Sequence, residues 1–485
     1  MPASSNQDLS STRFNVTGWR GKRLEHAHRQ RRLIYNDDGW ARTGEFYDGL
    51  PKDENDFLAR RFNWTVDTQV DSYFWCIGNG ADLPWGWPQP GGIEDCTTTM
   101  LNAARLAGQE AVISLRMNDI HDSFGKITYP FKLKNRHMLI DPNGVEPGWS
   151  ALDYSFDQVR EHKFEYISQV CAKYLPDGLE LDFFRHPVYF NSGQEAKNLA
   201  LMTDFVRDVR HRLDNIGQAN NRPILLIVRL ADTLEKSIKM GFDLPTWLKE
   251  DLLDVLVIGG GYAPFGKDWT QVRDLARQHE VPSYPCFSSS LIYTFGSIEP
   301  MRAAASNFWH LGAEGVYLFN HFVTVDLKKF EAKVVYDELK RLGDPHTLVG
   351  LDKAFCQDYV KLFSEDDPVG LNVMLKRMTA DPPLPTAIGP TSKAIPLLVG
   401  DDLNRWPANK KPACQLCLSA NPVDAPLVAW FNGKELGTGH ATDTRYREYD
   451  IDAQVVRHGD NTLTVKASGP PAELTGAHLW VRYPT

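Results

Sequence analysis

Long apolar runs are missing from this chain of 485 residues. None approaches the ~20 consecutive apolar residues of a membrane-spanning helix, so no membrane partner is expected. Met1 to Asp8 hold no apolar core, so no secretory signal is expected and the expected compartment is the cytoplasm. Positive charge is not in excess. Against 62 Asp and Glu stand 53 Lys and Arg, a formal net charge of −9, which speaks against a nucleic-acid partner. The basic run Arg20 to Arg32 is the local exception, and its ordinary reading is a solvated arm leading into the first strand.

Tight metal and nucleotide motifs are missing too. The seven cysteines include one C-x-x-C, Cys414 to Cys417, with no second pair nearby to complete a zinc site. Several other cysteines sit in apolar stretches, which suits small buried thiols in a reducing compartment. Gly259-Gly260-Gly261 lacks the strand-turn-helix spacing and the partnering acid of a dinucleotide fingerprint. No cofactor is therefore expected. There is no repeat array and no low-complexity tract.

What is present is a set of eight short apolar segments alternating with helical stretches. They are Arg32–Tyr35, Gln69–Cys76, Ala111–Met117, a strand within Pro176–Pro187, Pro223–Arg229, Asp254–Ile258, Pro282–Cys286 and Gly315–Phe319. Near-continuous apolar runs suit parallel strands buried on both faces. Eight of them alternating with helices predict an α/β protein built on a (β/α)8 barrel, with a doubly wound sheet as the other reading. After about residue 345 the composition changes. Short alternating segments such as Leu427–Phe431 and Asn461–Val465 are separated by turns such as Asn432-Gly433, the pattern of a jelly-roll-type β-sandwich. The expected organisation is an N-terminal arm over 1–30, a catalytic barrel over 31–345, and a linker with an accessory sandwich over 346–485.

Barrel active sites lie at the C-terminal ends of the strands. Those ends are unusually polar here. The first strand leads into Asn36, Asp37 and Asp38; the second ends near Trp75; the third carries Arg116, Asn118, Asp119 and His121. The fourth carries Glu180, Asp182, Arg185 and His186, the fifth Arg229 and Asp232, the sixth leads to Tyr262, and the eighth to Asn320 and His321. Period-two alternation puts Glu180 and Asp182 on one face of their strand. Carboxylates at a barrel mouth suit glycoside cleavage, in which one acid protonates the leaving oxygen while another attacks or activates water. The loop from Ser123 to about Tyr154 is too long for a routine connection and is expected to serve the site.

Asp177-Gly178-Leu179-Glu180-Leu181-Asp182 resembles the strand-four signature of chitinase-type and related glycoside-hydrolase barrels. The terminal catalytic glutamate of that signature falls on Phe184, and the seventh strand, Ser283-Tyr284-Pro285-Cys286, offers no acid. More widely, Tyr35 to Gly39, Thr68 to Asp71, Arg116 to Asp122 and Glu180 to His186 resemble a group of glycoside-hydrolase-like barrel proteins of microbial origin without assigned activity. The resemblance implies class rather than substrate.

Position then assigns the expected roles. Asp182, nearest the mouth, is the nucleophile or charge stabiliser; its partner acid is Asp119, Asp232, Asp38 or Asp37, with Asp119 on the adjacent strand the first choice. Glu180, about 6–7 Å deeper along the strand, is a further acid or a buried ion-pair member. The remaining mouth residues named above are expected to bind a carbohydrate substrate. A second class uses Asp119, His121, Asp182, His186 and His321 as ligands of a divalent metal in a hydrolase or isomerase, although no H-x-H spacing supports it. A third is a non-catalytic carbohydrate-binding protein. Nothing in the pattern specifies an oligomeric state.

Overall fold

The computed structural model describes residues 18–37, 39, 51–78, 95–124, 127, 129–145, 148–261, 264–288, 290–321, 332–357, 381, 383–437, 439–441 and 446–484. Two residues of the expected site, Asp38 and Tyr262, lie outside the described residues.

Eight parallel strands close into a barrel in chain order. They are β1 (Leu33–Asp37), β2 (Val70–Cys76), β3 (Glu110–Arg116), β4 (Gly178–Asp182), β5 (Leu225–Leu230), β6 (Val255–Ile258), β7 (Ser283–Ser288) and β8 (Val316–Phe319). Every residue of β1, β3, β4, β5, β6, β7 and β8 is buried. That is why the strands read as apolar runs: one face packs on helices and the other fills the barrel. Closure follows from β1 pairing both β2 and β8, Leu33 meeting Val70 on one side and Val316 on the other. Among the described residues no helix is long and apolar enough to cross a membrane.

The basic run is not a solvated arm. Gly18–Ala27 forms a helix docked on the barrel exterior. Its Arg23 is 5% exposed and bridges Asp214, Asp251 and Asp254. Arg31 is fully enclosed at the foot of the barrel, bidentate to Glu110 at 2.7 Å, with Ser72 donating to the same carboxylate. Burial works to raise the Glu110 carboxyl, but Arg31 overcomes it and holds it below its ordinary value. A guanidinium fork suits this use because it matches a carboxylate two bonds at a time. Gly315, just before β8, is required here. A Cβ on it would stand 1.8 Å from the Arg31 carbonyl, a backbone atom that has nowhere to go.

The C-terminal part is a two-sheet sandwich. Its strands are β9 (Lys353–Cys356), β10 (Thr386–Ile388), β11 (Lys393–Val399), β12 (Ala413–Asn421), β13 (Leu427–Phe431), β14 (Lys434–Glu435), β15 (His440–Ala441), β16 (Arg447–Ile451), β17 (Gly459–Ala467) and β18 (Ala472–Arg482). One sheet runs β10-β18-β12-β16-β15 with β9 also on β18; the other runs β11-β17-β13-β14. Inward and outward residues alternate cleanly along β17. Cys414 and Cys417 both lie on β12, three residues apart and therefore on opposite faces, so they do not chelate one ion. Each of the seven cysteines is buried, and none is in a disulfide.

Candidate active site

At the end of β4 the backbone turns sharply, and Asp182 makes the turn. Its Oδ1 accepts from the Phe184 and Arg185 N–H groups, both at 3.0 Å. The same carboxylate forms a bidentate pair with Arg229 of β5, Nε to Oδ1 at 2.9 Å and Nη2 to Oδ2 at 2.7 Å. The register explains the meeting, since Asp182 sits opposite Arg229 on one side and Arg116 on the other. Arg229 is wholly buried, its guanidinium 3.8 Å from the Phe319 ring centre and 5.5 Å from that of Phe184. Phe184, where the chitinase-type signature has its acid, also presses on Gly260, whose missing Cβ would come within 2.0 Å of its ring. Both oxygens of Asp182, the expected nucleophile or charge stabiliser, are thus engaged, and it organises the β4 turn.

Glu180 lies in the throat below, wholly buried. Its Oε2 accepts from the Tyr317 hydroxyl at 3.1 Å, reaching across the barrel from β8. Burial, and then the negative charge of Asp182, push its carboxyl up to about 7, while Arg229 pulls the other way. Glu180 does not pair with Arg116 or Arg229; Asp119 and Asp182 take those arginines.

A second cluster sits above the end of β3. Asp119 accepts from Arg116 Nη1 at 2.9 Å and meets His121 Nδ1 at 2.6 Å. His121 Nε2 lies 3.1 Å from Arg185 Nη2. An arginine only donates, so Nε2 accepts here and Nδ1 donates to Asp119. His186 stands edge-on to His121, ring centres 4.8 Å apart, and its Nδ1 accepts from the Ile120 N–H at 3.4 Å. Burial works to raise the Asp119 carboxyl, but His121, His186 and Arg116 together hold it well below the carboxylate range. His186 is held well below its ordinary value, first by burial and then, against the pull of Asp119, by His121, Arg185 and Arg116.

Asp119, His121 and His186 offer ligand atoms within 4.8 Å of one another, so a metal set is the geometric alternative. The surrounding charge does not fit one. Both nitrogens of His121 are engaged, and Arg116 and Arg185 would place two full positive charges beside a dication. The other two members of the expected ligand set are elsewhere: Asp182 is locked on Arg229, and His321 is buried behind β1 against Tyr35 and Tyr336.

Several expected substrate contacts turn out to hold the scaffold. Trp75 is wholly buried and faces outward, its indole Nε1 donating to Thr97 of a surface helix at 3.3 Å. Asn118 is 1% exposed and clamps two loops, donating to the Leu152 and Val188 carbonyls and accepting from the Leu152 N–H. Asp37 is consumed by Arg61, Tyr73 and the Gly39 N–H. Asn36 ties β1 to the chain after β8, accepting from the Asn320 N–H on its side chain and the His321 N–H on its carbonyl. Asp232 lies over Gly259 and lines a small cavity with Trp269 and Phe308, on the helix side of the wall. Brought together at the mouth are Arg116, Asp119, His121, Arg185 and His186, with Asp182, Arg229 and Glu180 beneath.

Sequence reasoning missed two lysines. Lys132 Nζ donates to the Asp119 carbonyl at 2.6 Å and pairs with Asp122 at 3.0 Å. Lys163, on the helix Asp157–Tyr174, is fully enclosed, and burial, then Lys132, bring its amine down to about 7. The signal for Lys163 was there. It falls on the apolar stripe Val159, Tyr166, Ile167, Val170 and Tyr174, where a lysine needs a reason.

The class defined by these features is a (β/α)8-barrel protein with a charged mouth at β3 and β4 and a C-terminal sandwich. No protein-family model matches the chain, and no curated protein matches it in sequence. Solved structures similar to it include an α-amylase from Anoxybacillus, at 9% identity over 91% of this chain and 98% of that one, with a TM-score of 0.41. The PgaB (BpsB) glycoside hydrolase domain from Bordetella bronchiseptica is similar at 12% identity over 64% of this chain and 99% of that one, TM-score 0.41. A class V chitinase from Pseudomonas fluorescens is similar at 11% identity over 62% and 98%, TM-score 0.36.

Proposed function

We propose that the protein is a glycoside hydrolase in which Asp119 is the ionised carboxylate, Glu180 is the proton-holding acid, and Asp182 positions both halves of the site. One observation carries the reading. Two carboxyl groups of one barrel mouth lie in opposite surroundings: Asp119 is paired with Arg116 and His121, which favours its anion, while Glu180 is wholly enclosed against the Tyr317 hydroxyl with Asp182 nearby, which favours its protonated form. Glycoside cleavage needs that division, an anion to attack or to activate water and an acid to protonate the departing oxygen. Asp119 is also the member nearest solvent, at 8% exposure against 2% for Asp182 and none for Glu180.

The test is a panel of chromogenic glycosides with the full-length chain. Asp119→Asn is expected to lower kcat/KM by about 10²–10⁴-fold, the usual worth of a positioned acid–base group. Azide restoring turnover to Asp119→Ala would mark Asp119 as a nucleophile; azide without effect would mark it as a base for water. Undiminished hydrolysis by Asp119→Asn, or no cleavage across the panel, overturns the reading.

A further inference from the structure

Among the described residues the ion pairs at the mouth leave one cation over. Arg116 is paired with Asp119, Lys132 with Asp122, and Arg229 with Asp182. Arg185 is left over, with no carboxylate within ion-pair distance among the described residues. It uses only one of the five N–H bonds a guanidinium carries, the one to His121 Nε2. Its Nε is buried and has no acceptor. The group is nonetheless held in place. Its backbone N–H is fixed by Asp182, its Nη2 by His121, and its guanidinium lies 5.8 Å from the Phe319 ring centre. A half-buried cation that is rigidly presented and unneutralised is costly unless a ligand completes it.

We propose that Arg185 receives a carboxylate borne by the sugar, so that the substrate is a glycoside of a uronic acid. A carboxylate is planar and takes two parallel N–H bonds from a guanidinium fork, which Arg185 still has to give. The inference takes the sugar from the glycosidase reading above and the charge from Arg185 itself.

Calorimetric titration of the full-length chain with glucuronate and galacturonate, with glucose and galactose, and with glucose 6-sulfate tests it without turnover. One uronate is expected to bind on the order of tenfold more tightly than its neutral counterpart, the margin a charge-assisted bidentate pair provides. That margin shrinks as salt is raised. Arg185→Gln is expected to abolish the difference between the uronate and its neutral counterpart, and Arg185→Lys to keep part of it; equal thermal midpoints establish that the variants are folded. Equal affinity for neutral and acidic sugars, absence of uronate binding, or a uronate margin that survives in Arg185→Gln overturns the proposal. A preference for the sulfated sugar overturns the carboxylate assignment. The two readings fail separately. Arg185-dependent uronate binding with no cleavage of any glycoside removes the hydrolase and keeps the anion site. Cleavage of neutral glycosides without a uronate preference does the reverse.

Discussion

Asp182→Ala is expected to destabilise the barrel by about 3–5 kcal/mol, the usual cost of stranding one member of a buried ion pair. Arg229 is wholly buried, and Asp182 supplies its two carboxylate contacts. Removing Asp182 leaves a full positive charge against the faces of Phe319 and Phe184, which offer attraction but no acceptor. It also releases the Phe184 and Arg185 N–H groups, so the turn after β4 loosens at the same time. The double variant Asp182→Leu/Arg229→Met is expected to recover most of the loss, because it removes both charges together and fills the space with apolar groups. Urea unfolding of the two single variants and the double variant gives the coupling energy directly. A single variant as stable as the parent would show that Arg229 finds another partner, and Asp182 would then return as a free carboxylate.

That experiment also shows where sequence reading stops. The eight barrel strands were legible, because burial on both faces writes them as apolar runs, and each observed strand overlaps its expected place. Six sandwich strands were legible from alternation and turns. β9 was not, since Lys353–Cys356 is short and finds its partner on β18, more than a hundred residues away. The polar strand ends were legible as a group, but their division of labour was not. Asn118 and Arg185 look alike as polar residues just past a strand. One is consumed by carbonyls 34 and 70 residues further along, and the other has nearly all its donors to spare. Asp37 likewise resembled a catalytic acid until Arg61 and Tyr73 were seen to neutralise and fix it. A one-dimensional pattern records that a side chain is polar. It does not record whether a partner from elsewhere has already claimed it.

Glu180→Gln carries the second large effect, and it should move activity and stability in opposite directions. Burial, and then Asp182, push the Glu180 carboxyl up to about 7 in the folded protein, from an ordinary value of 4.5. A group whose folded value is raised binds its proton more tightly in the native state. Its contribution to stability therefore declines as pH rises from about 4.5 to about 7 and is lowest above that window. The shift corresponds to about 3 kcal/mol. Glutamine keeps the shape and an acceptor for Tyr317 and never ionises. At pH 8 the variant should therefore unfold at a temperature several degrees above the parent. At pH 4.5 the two should nearly coincide, and the difference should grow through the interval between. Activity should run the other way. With Glu180 as the acid, kcat/KM of the parent falls on the alkaline side of about pH 7, and Glu180→Gln loses turnover at every pH for glycosides whose leaving group needs a proton. An activated leaving group such as dinitrophenol needs none, so its release should survive in the variant, which separates a missing proton from a collapsed site. A variant that gains stability at pH 8 yet keeps full turnover on poor leaving groups would assign Glu180 to the scaffold. A variant that loses stability at pH 8 would mean that the throat carboxyl is ionised and paired in the native state.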